Sequence, residues 1–450
     1  MGPAAGYVAG MGTKIAETYL INVDSGANAN KFYRAELHDD GTVVKNWGRV
    51  GATGQTKIEK GGRYAYEDVV AQKKRRGYTV VDVIGSTAST KAAPSATLKR
   101  AATAQLTGGR ADPVLADLID RLVSVNKHQL LEASGGLISV NLAGQVTTPL
   151  GAISARSIRD ARALLNQMSG MTRGADRGRL TEQYLRLIPQ AVPVSAGRGW
   201  SEGWLDIHTS ARRQSELLDS LEASVRYADA AAAEATADEN EGAPGDLFRY
   251  RVRVLDPTDA NFRAVIDRYN DTKQDAHTWS KTLKPVRVYA LEDARHGDEI
   301  AQTAKRVRNV RRLWHGTGAA NVLSILAKGL FIPPTTGSGI HIAGRMFGDG
   351  IYLSRSASKS AGYSVGYWGG GKSQSVFMFL TETAMGSEYR PTGSAYDSSM
   401  PRRARTEKNK SGRPYDSINV NPGTGGVRNH EAVVWDPMQV NLRWLVEFEA

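Results

Sequence analysis

Arg345-Met346-Phe347-Gly348-Asp349-Gly350-Ile351-Tyr352-Leu353-Ser354, running on to Ser358-Lys359-Ser360-Ala361-Gly362-Tyr363, is the stretch that decides how the rest of the chain is read. Gly348 and Gly350 flank an acid, the pattern of a tight turn that needs positive φ or close approach of backbone. Ile351-Tyr352-Leu353 then predicts a short strand, and Ser358 to Tyr363 the first turn of a helix with Ser358 as its N-cap. Two tyrosines, a lysine and a small hydroxyl thus come to the lips of one loop. Such a set suits a flat, polar, aromatic ligand, with rings to stack on and a hydroxyl to bond an amide. Taken alone, the stretch is better accounted for by a hairpin with ordinary core tyrosines.

Working outward, the 450 residues allow two to four domains, each with its own core. An apolar fraction of 41% and a charged fraction of 23% are those of globular protein. No apolar run approaches the ~18 residues of a membrane span. Met1 to Gly12 lacks the charged and apolar regions of a signal peptide, so an intracellular protein is expected: nuclear in a eukaryote, otherwise in cytoplasm or nucleoid. Zero cysteines exclude disulfides and thiolate metal sites, and a net charge of +12 favours a polyanionic partner.

From Thr18 to Val83 a small antiparallel sheet is predicted, with strands at Tyr19–Val23, Phe32–Leu37 and Thr42–Gly51 and a hairpin turn at Asp39-Asp40-Gly41. A helix ending in Lys73-Lys74-Arg75-Arg76 follows. Trp47 and Arg49 lie two apart on one strand and so share a face with Lys45. A ring beside a guanidinium can stack on a terminal base and grip its phosphate; a core tryptophan with a solvated arginine reads the same way. Residues 85–112 are a Gly/Ala/Ser/Pro linker, and from Pro113 to Ala232 the apolar spacing turns helical, as in Val114, Leu115, Leu118, Ile119 and Leu122. That spacing predicts an all-helical bundle, and residues 231–245 an acidic loop. After Phe248 strands dominate: Arg249–Val254, Pro285–Leu291, Arg312–Gly316, Ser375–Leu380, Glu431–Asp436 and Leu442–Phe448. Thr392 to Asn429 is expected to be a long irregular segment rich in arginine and lysine.

Two motif matches carry no chemistry. Gly366 to Ser373 fits G-x-x-x-x-G-K-[ST], but a helix precedes it and a strand follows, the inverse of a phosphate loop. Gly316-x-Gly318 opens a helix, but Asn321 stands where a dinucleotide fingerprint needs its third glycine. His430 beside Glu431 has no partner at zinc-ligand spacing, so no metal is expected.

Three residues remain, each at the edge of a predicted strand: His315, Tyr352 and Glu431. Leu313-Trp314-His315-Gly316-Thr317, Phe347-Gly348-Asp349-Gly350-Ile351-Tyr352, Ser358 to Tyr363, and Asn429-His430-Glu431-Ala432-Val433-Val434-Trp435 together resemble the poly(ADP-ribose) polymerase family with its His-Tyr-Glu triad. Upstream, Asn46-Trp47-Gly48-Arg49-Val50-Gly51 resembles the Trp-Gly-Arg domain of the DNA-dependent members. Pro149-Leu150-Gly151, Tyr184 to Pro189 and Glu216-Leu217-Leu218-Asp219 resemble their helical regulatory domain. The resemblance implies a multidomain α+β chain. Its parts would be a disordered N-terminus (1–14), a small antiparallel-sheet Trp-Gly-Arg domain (15–84), a linker (85–111), an all-α regulatory bundle (112–245) and a mixed split-β ADP-ribosyltransferase catalytic domain (246–450).

It implies NAD+ as substrate and no metal. Glu431 would face the positive charge that builds on the ribose as the nicotinamide bond breaks. His315, Thr317 and Asn321 would hold ribose hydroxyls. Gly316 and Ser360 would clamp the carboxamide, Tyr363 and Tyr352 would wall the ring, Gly344 would line the cofactor site, and Lys359 would assist Glu431. Trp47, Arg49 and Lys45 would meet DNA strand breaks or 5′ ends, with Glu216 and Asp219 restraining access to NAD until DNA binds. Acceptors would be proteins, the chain itself included, with no membrane partner. Transfer of a single ADP-ribose to protein or DNA ends, and a catalytically weak DNA-end-binding protein, are the alternatives. The chain departs from the family in carrying Asp349 where many members have lysine and Phe331 where an arginine is common.

Overall fold

The computed structural model describes residues 12–81, 104–110, 112–133, 139–140, 146–148, 151–211, 213–215, 217–222, 225, 248–274, 280, 282–332, 346–365, 376–397 and 399–449. Gly344, Glu216, the Gly366–Ser373 match, most of the linker and the acidic loop lie outside them. The chain divides into two compact units: Met1–Pro94 with Lys127–Ala228 and Thr336–Ile340, and Ser95–Asn126 with Asp229–Thr335 and His341–Ala450. The sheet of the first unit therefore groups with most of the helical segment, which the expected domain boundaries separate.

In the first unit β1 (Lys14–Asp24), β2 (Ala29–His38), β3 (Thr42–Arg49), β4 (Gln55–Lys60) and β5 (Thr79–Val80) form an antiparallel sheet in the order β4-β3-β2-β1-β5. Alternation along β1 explains its two cores. Leu20 faces a cluster with Tyr33, Leu37, Val43, Tyr66 and Val69, the last two from α1 (Gly62–Arg75). Tyr19, Ile21 and Val23 face the helical segment, packing with Ile158, Leu165, Tyr184, Trp200, Trp204 and Leu221. The sequence reading omitted β4, an edge strand of polar, mostly exposed residues with no apolar alternation to mark it.

After α1 comes α2 (Pro113–Ala133), then β6 (Ser139–Val140), β7 (Val146–Thr148) and β8 (Gly151–Ala152), a small antiparallel sheet. The segment between linker and catalytic domain is therefore not the all-helical bundle expected. Helical spacing does hold in α3 (Ala155–Ser169), which buries Ile158, Ala161, Leu165 and Met168 and is capped by the Ser154 hydroxyl accepting from the Ser157 N–H. α4 (Ala175–Leu187) and the single turn α5 (Trp204–Ile207) follow.

The second unit opens with the first part of α2, where Leu115, Leu118, Ile119 and Leu122 are buried and Arg121 reaches Glu447. β9 (Tyr250–Val254), α6 (Ala260–Thr272), β10 (Lys284–Asp293), α7 (Gly297–Val307), β11 (Val310–Gly316), α8 (Val322–Lys328), β12 (Ile351–Leu353), α9 (Ala357–Ser364), β13 (Val376–Ala384), β14 (Glu388–Tyr389), α10 (Met400–Thr406), β15 (Ser417–Val420), β16 (Glu431–Val434) and β17 (Val440–Glu449) follow in order. They build two sheets, β11-β13-β17-β10-β9 and β12-β16-β15-β14. The first is antiparallel throughout, and the second is antiparallel apart from the β14–β15 pair. A two-bond bridge links the sheets: Trp314 N–H to the Ser354 carbonyl (2.7 Å) and Ser354 N–H to the Trp314 carbonyl (2.9 Å).

Two local expectations are corrected. α9 is capped by Ser356, whose hydroxyl accepts from the Lys359 N–H at 3.3 Å; Ser358 lies inside the helix and its hydroxyl accepts from the Gln274 N–H. The segment Thr392–Asn429 holds α10 and β15 and is not irregular throughout.

Candidate active site

The turn before β12 is built as its glycines require. Gly348 sits at φ +76°, and a Cβ on Gly350 would strike Val433 and the Val434 carbonyl across the sheet. That close approach sets Tyr352 opposite Val433 and brings Leu353 opposite Ala432, one residue from Glu431. The Tyr352 hydroxyl donates to the Gly348 carbonyl (2.8 Å) and accepts from the Phe347 N–H (2.8 Å), so the ring is braced by its own turn.

His315, at the end of β11, lies across from this strand with Nδ1 3.0 Å from the Tyr352 carbonyl. A carbonyl only accepts, so Nδ1 carries the proton and Nε2 offers a lone pair. Burial lowers the imidazole pKa; the Tyr352 bond opposes that and the Lys359 charge adds to it. The ring is thus neutral and able to accept from a hydroxyl.

Gly316 follows, and a Cβ there would collide with the backbone of Ser360 on α9. Strand end and helix therefore touch through bare backbone. The Ser360 hydroxyl donates to the Trp314 carbonyl at 3.2 Å, leaving its lone pairs to accept from an amide. The Thr317 N–H donates to Ser364 Oγ (3.2 Å), which donates on to the Phe377 carbonyl (2.6 Å). Asn321 Nδ2 donates to Thr317 Oγ1 at 3.0 Å, whereas Asn321 Oδ1 is buried with no hydrogen-bond partner among the described residues.

Lys359 is buried on α9 and its ammonium pairs with Glu431 Oε2; their side chains are 8% and 13% exposed. Burial raises the Glu431 carboxyl above its ordinary range, and the charge and hydrogen bond of Lys359 partly restore the anion. Lys359 Nζ also lies 5.8 Å from the centre of the half-buried Tyr363 ring. His315, Gly316, Thr317, Asn321, Tyr352, Lys359, Ser360, Tyr363 and Glu431 thus come from three segments brought into one neighbourhood. Among the described residues no group of three His, Cys, Asp or Glu stands where it would hold a metal ion, and no helix is long and apolar enough to cross a membrane.

The residues fit a bound NAD+. Gly316 lies against the Ser360 backbone, Asn321 Oδ1 has no hydrogen-bond partner among the described residues, and Nε2 of His315 is an acceptor. Ser354, Ser356, Ser364 and Asn419, which hydrogen-bond around these segments, are not singled out by the sequence. For Ser354 and Ser356 the signal was a run of serines at alternate positions, which any of several roles explains, and Ser364 and Asn419 carried none.

In the first unit Trp47 stacks on Tyr33, with 5.9 Å between centroids and 18° between planes. Lys45 is paired with Glu59. The Arg49 guanidinium donates to the carbonyls of Val192 (2.9 Å) and Asn28 (2.9 Å), so it is engaged within the unit. Lys73, from the basic end of α1, lies 4.1 Å above the Tyr33 ring, and burial together with Arg76, Lys45 and Lys31 depresses its pKa. Asp219 accepts from Arg162 at 2.7 Å.

Residues 259–450 match the poly(ADP-ribose) polymerase catalytic domain, and residues 16–83 match the WGR domain. Protein mono-ADP-ribosyltransferase PARP3 of Mus musculus is 26% identical over 433 residues, covering 87% of this chain and 76% of that protein. Poly [ADP-ribose] polymerase 1 of Gallus gallus is 24% identical over 489 residues, 97% of this chain but 45% of its own length. Poly [ADP-ribose] polymerase 2-A of Oryza sativa subsp. japonica is 26% identical over 426 residues, 86% of this chain and 60% of its own. With a WGR domain joined to a catalytic domain of the NAD+ ADP-ribosyltransferase type, the chain belongs to the poly(ADP-ribose) polymerase family.

Proposed function

We propose that the chain is an NAD+ ADP-ribosyltransferase that releases nicotinamide, transfers ADP-ribose to protein acceptors including itself, and responds to DNA strand breaks or 5′ ends. The observation that carries this reading is the buried Lys359–Glu431 pair beside a neutral His315, with Gly316 packed against Ser360. NAD+ supplies the glycosidic bond that is broken and the ADP-ribosyl group that is moved. Glu431 faces the charge that develops on the ribose and accepts from the incoming acceptor hydroxyl, with Lys359 keeping it ionised. Nε2 of His315 and Asn321 Oδ1 accept from ribose hydroxyls. Gly316 and Ser360 orient the carboxamide, and Tyr352 and Tyr363 exclude water from either side of the ring.

The DNA response rests on the WGR domain. Burial first, then the charges of Arg76, Lys45 and Lys31, lower the pKa of Lys73, and such a basic cluster gains from a phosphate. Trp47 supplies the stacking surface, and Arg49 couples it to the Val192 segment of the same unit. The experiment measures nicotinamide release and labelled-NAD+ incorporation with and without nicked or blunt DNA. Stimulation by DNA is expected, and equal rates remove the regulatory claim. The same labelled product on a gel separates polymer, seen as a ladder, from a single ADP-ribose, seen as one shift.

A further inference from the structure

His430 stands immediately before Glu431, is 5% exposed, and has no part in the chemistry described above. Both ring nitrogens and the carbonyl are nevertheless engaged. Nδ1 lies 3.0 Å from the Arg355 backbone nitrogen, which can only donate, so Nδ1 is the bare nitrogen. Nε2 therefore carries the proton and donates to Asn419 Oδ1 at 2.9 Å. Asn419 Nδ2 donates in turn to Glu388 Oε2 at 2.7 Å, and Arg311 pairs with the other oxygen of that buried carboxylate at 2.8 Å. From the Arg355 N–H through His430 and Asn419 the donors run in one direction and end on the Glu388 carboxylate, which Arg311 meets from the other side, so the bonds along that run polarise one another.

The backbone of His430 makes the second connection. Its carbonyl accepts from the Ser354 hydroxyl at 2.7 Å, and Ser354 Oγ accepts from the Ser356 N–H at 3.1 Å. Ser356 is the cap of α9, the helix that carries Lys359, Ser360 and Tyr363. Ser354 is also the residue bridged to Trp314, next to His315. All three site segments thus meet at His430 and the Ser354–Ser356 turn. Burial first, then the charges of Arg355, Lys359 and Arg311, push the imidazole pKa down to about 3, so the tautomer that makes both bonds persists near neutral pH.

We propose that His430 is a positioning residue that sets Glu431 against Lys359, tying the strand that delivers the carboxylate to the turn that starts α9. The inference rests on Glu431 being the reacting carboxylate. A carboxylate displaced by about 1 Å costs up to about 100-fold in rate without weakening the grip on NAD+, which other residues make.

The test compares His430→Leu, His430→Asn and Glu431→Gln in the full chain, with nicotinamide release and NAD+ affinity measured on folded protein. His430→Leu is expected to lower kcat by about 10- to 100-fold with KM for NAD+ within about threefold. His430→Asn, whose amide oxygen reaches the Arg355 N–H, is expected to recover most of that loss. Unchanged kcat in a folded His430→Leu, or a rise in KM alone, overturns the proposal. If Glu431→Gln itself leaves release unchanged, the catalytic reading fails first. Where His430→Leu does not fold, nitrogen NMR of the wild-type imidazole decides: protonated Nε2 with bare Nδ1 is required, and the opposite tautomer refutes the network.

Discussion

The two sheets of the catalytic unit are made of different material. β13 of the five-stranded sheet reads Val376-Phe377-Met378-Phe379-Leu380, every side chain buried on one face or the other. The four-stranded sheet has strands of only two to four residues, and among its buried groups are Ser417, Asn419 and, just before β16, His430. The first is held by apolar burial, which is insensitive to direction. The second has a smaller apolar cluster, with Ile418, Val420 and Val433 in it, and adds buried hydrogen bonds, which fix atoms and not merely surfaces. Tyr352 and Glu431 sit on the second sheet, whereas His315 ends a strand of the first and Lys359 rides on a helix packed against the first.

Four measurements break or sharpen that contrast. Phe379→Ala, in the apolar sheet, is expected to cost about 3–5 kcal/mol in denaturant unfolding, since a fully buried ring leaves a cavity. Loss of activity in that variant should follow loss of folded protein. Gly316→Ala, where the two materials meet, forces the strand end off Ser360. It is expected to lower kcat/KM by about 100-fold, roughly 2.7 kcal/mol, and to cost about 1–3 kcal/mol in unfolding free energy because backbone must give way.

Acid stability should distinguish the sheets as well. His430 has a folded pKa near 3 against an ordinary 6.5, so the unfolded chain takes up its proton first as pH falls. Stability from this residue is complete above pH 6.5 and is lost on the way down to about 3. At pH 5 the loss is about 2 kcal/mol, and it should be missing from His430→Asn when unfolding is followed at pH 7 and pH 5. The smallest effect is a shift of the pH–rate profile. Burial raises the Glu431 carboxyl, so the acid limb of kcat should lie above that of an ordinary carboxylate. Lys359→Met removes the opposing cation and should move the limb further up, whereas a downward move would refute the assigned pairing.

How much of this was legible in the sequence follows the same division. Long strands with many apolar residues, such as β10, β13 and β17, announce themselves by composition and were found within a few residues of their ends. His315, Tyr352 and Glu431 were legible because each stands in a distinctive local motif. Asn419, Ser354 and His430 were not, because their partners are chosen by register between strands far apart in the chain, which no local window contains. β4 was missed for want of apolar alternation, and β15 because it is four residues inside a segment dominated by basic side chains. Ser358 was taken for the cap of α9 because serines at 354, 356, 358 and 360 offer the same local signal, and only the course of the backbone selects Ser356.

The most direct test of the account is nicotinamide release from NAD+, followed side by side for the wild-type chain and Glu431→Gln in the presence of broken DNA, with NAD+ binding measured on both. Release by the wild type, a fall of about 100- to 1000-fold in the variant and undiminished NAD+ binding are the results predicted. Equal release from the two proteins would contradict the role given to Glu431 and, with it, the active site assembled around that carboxylate.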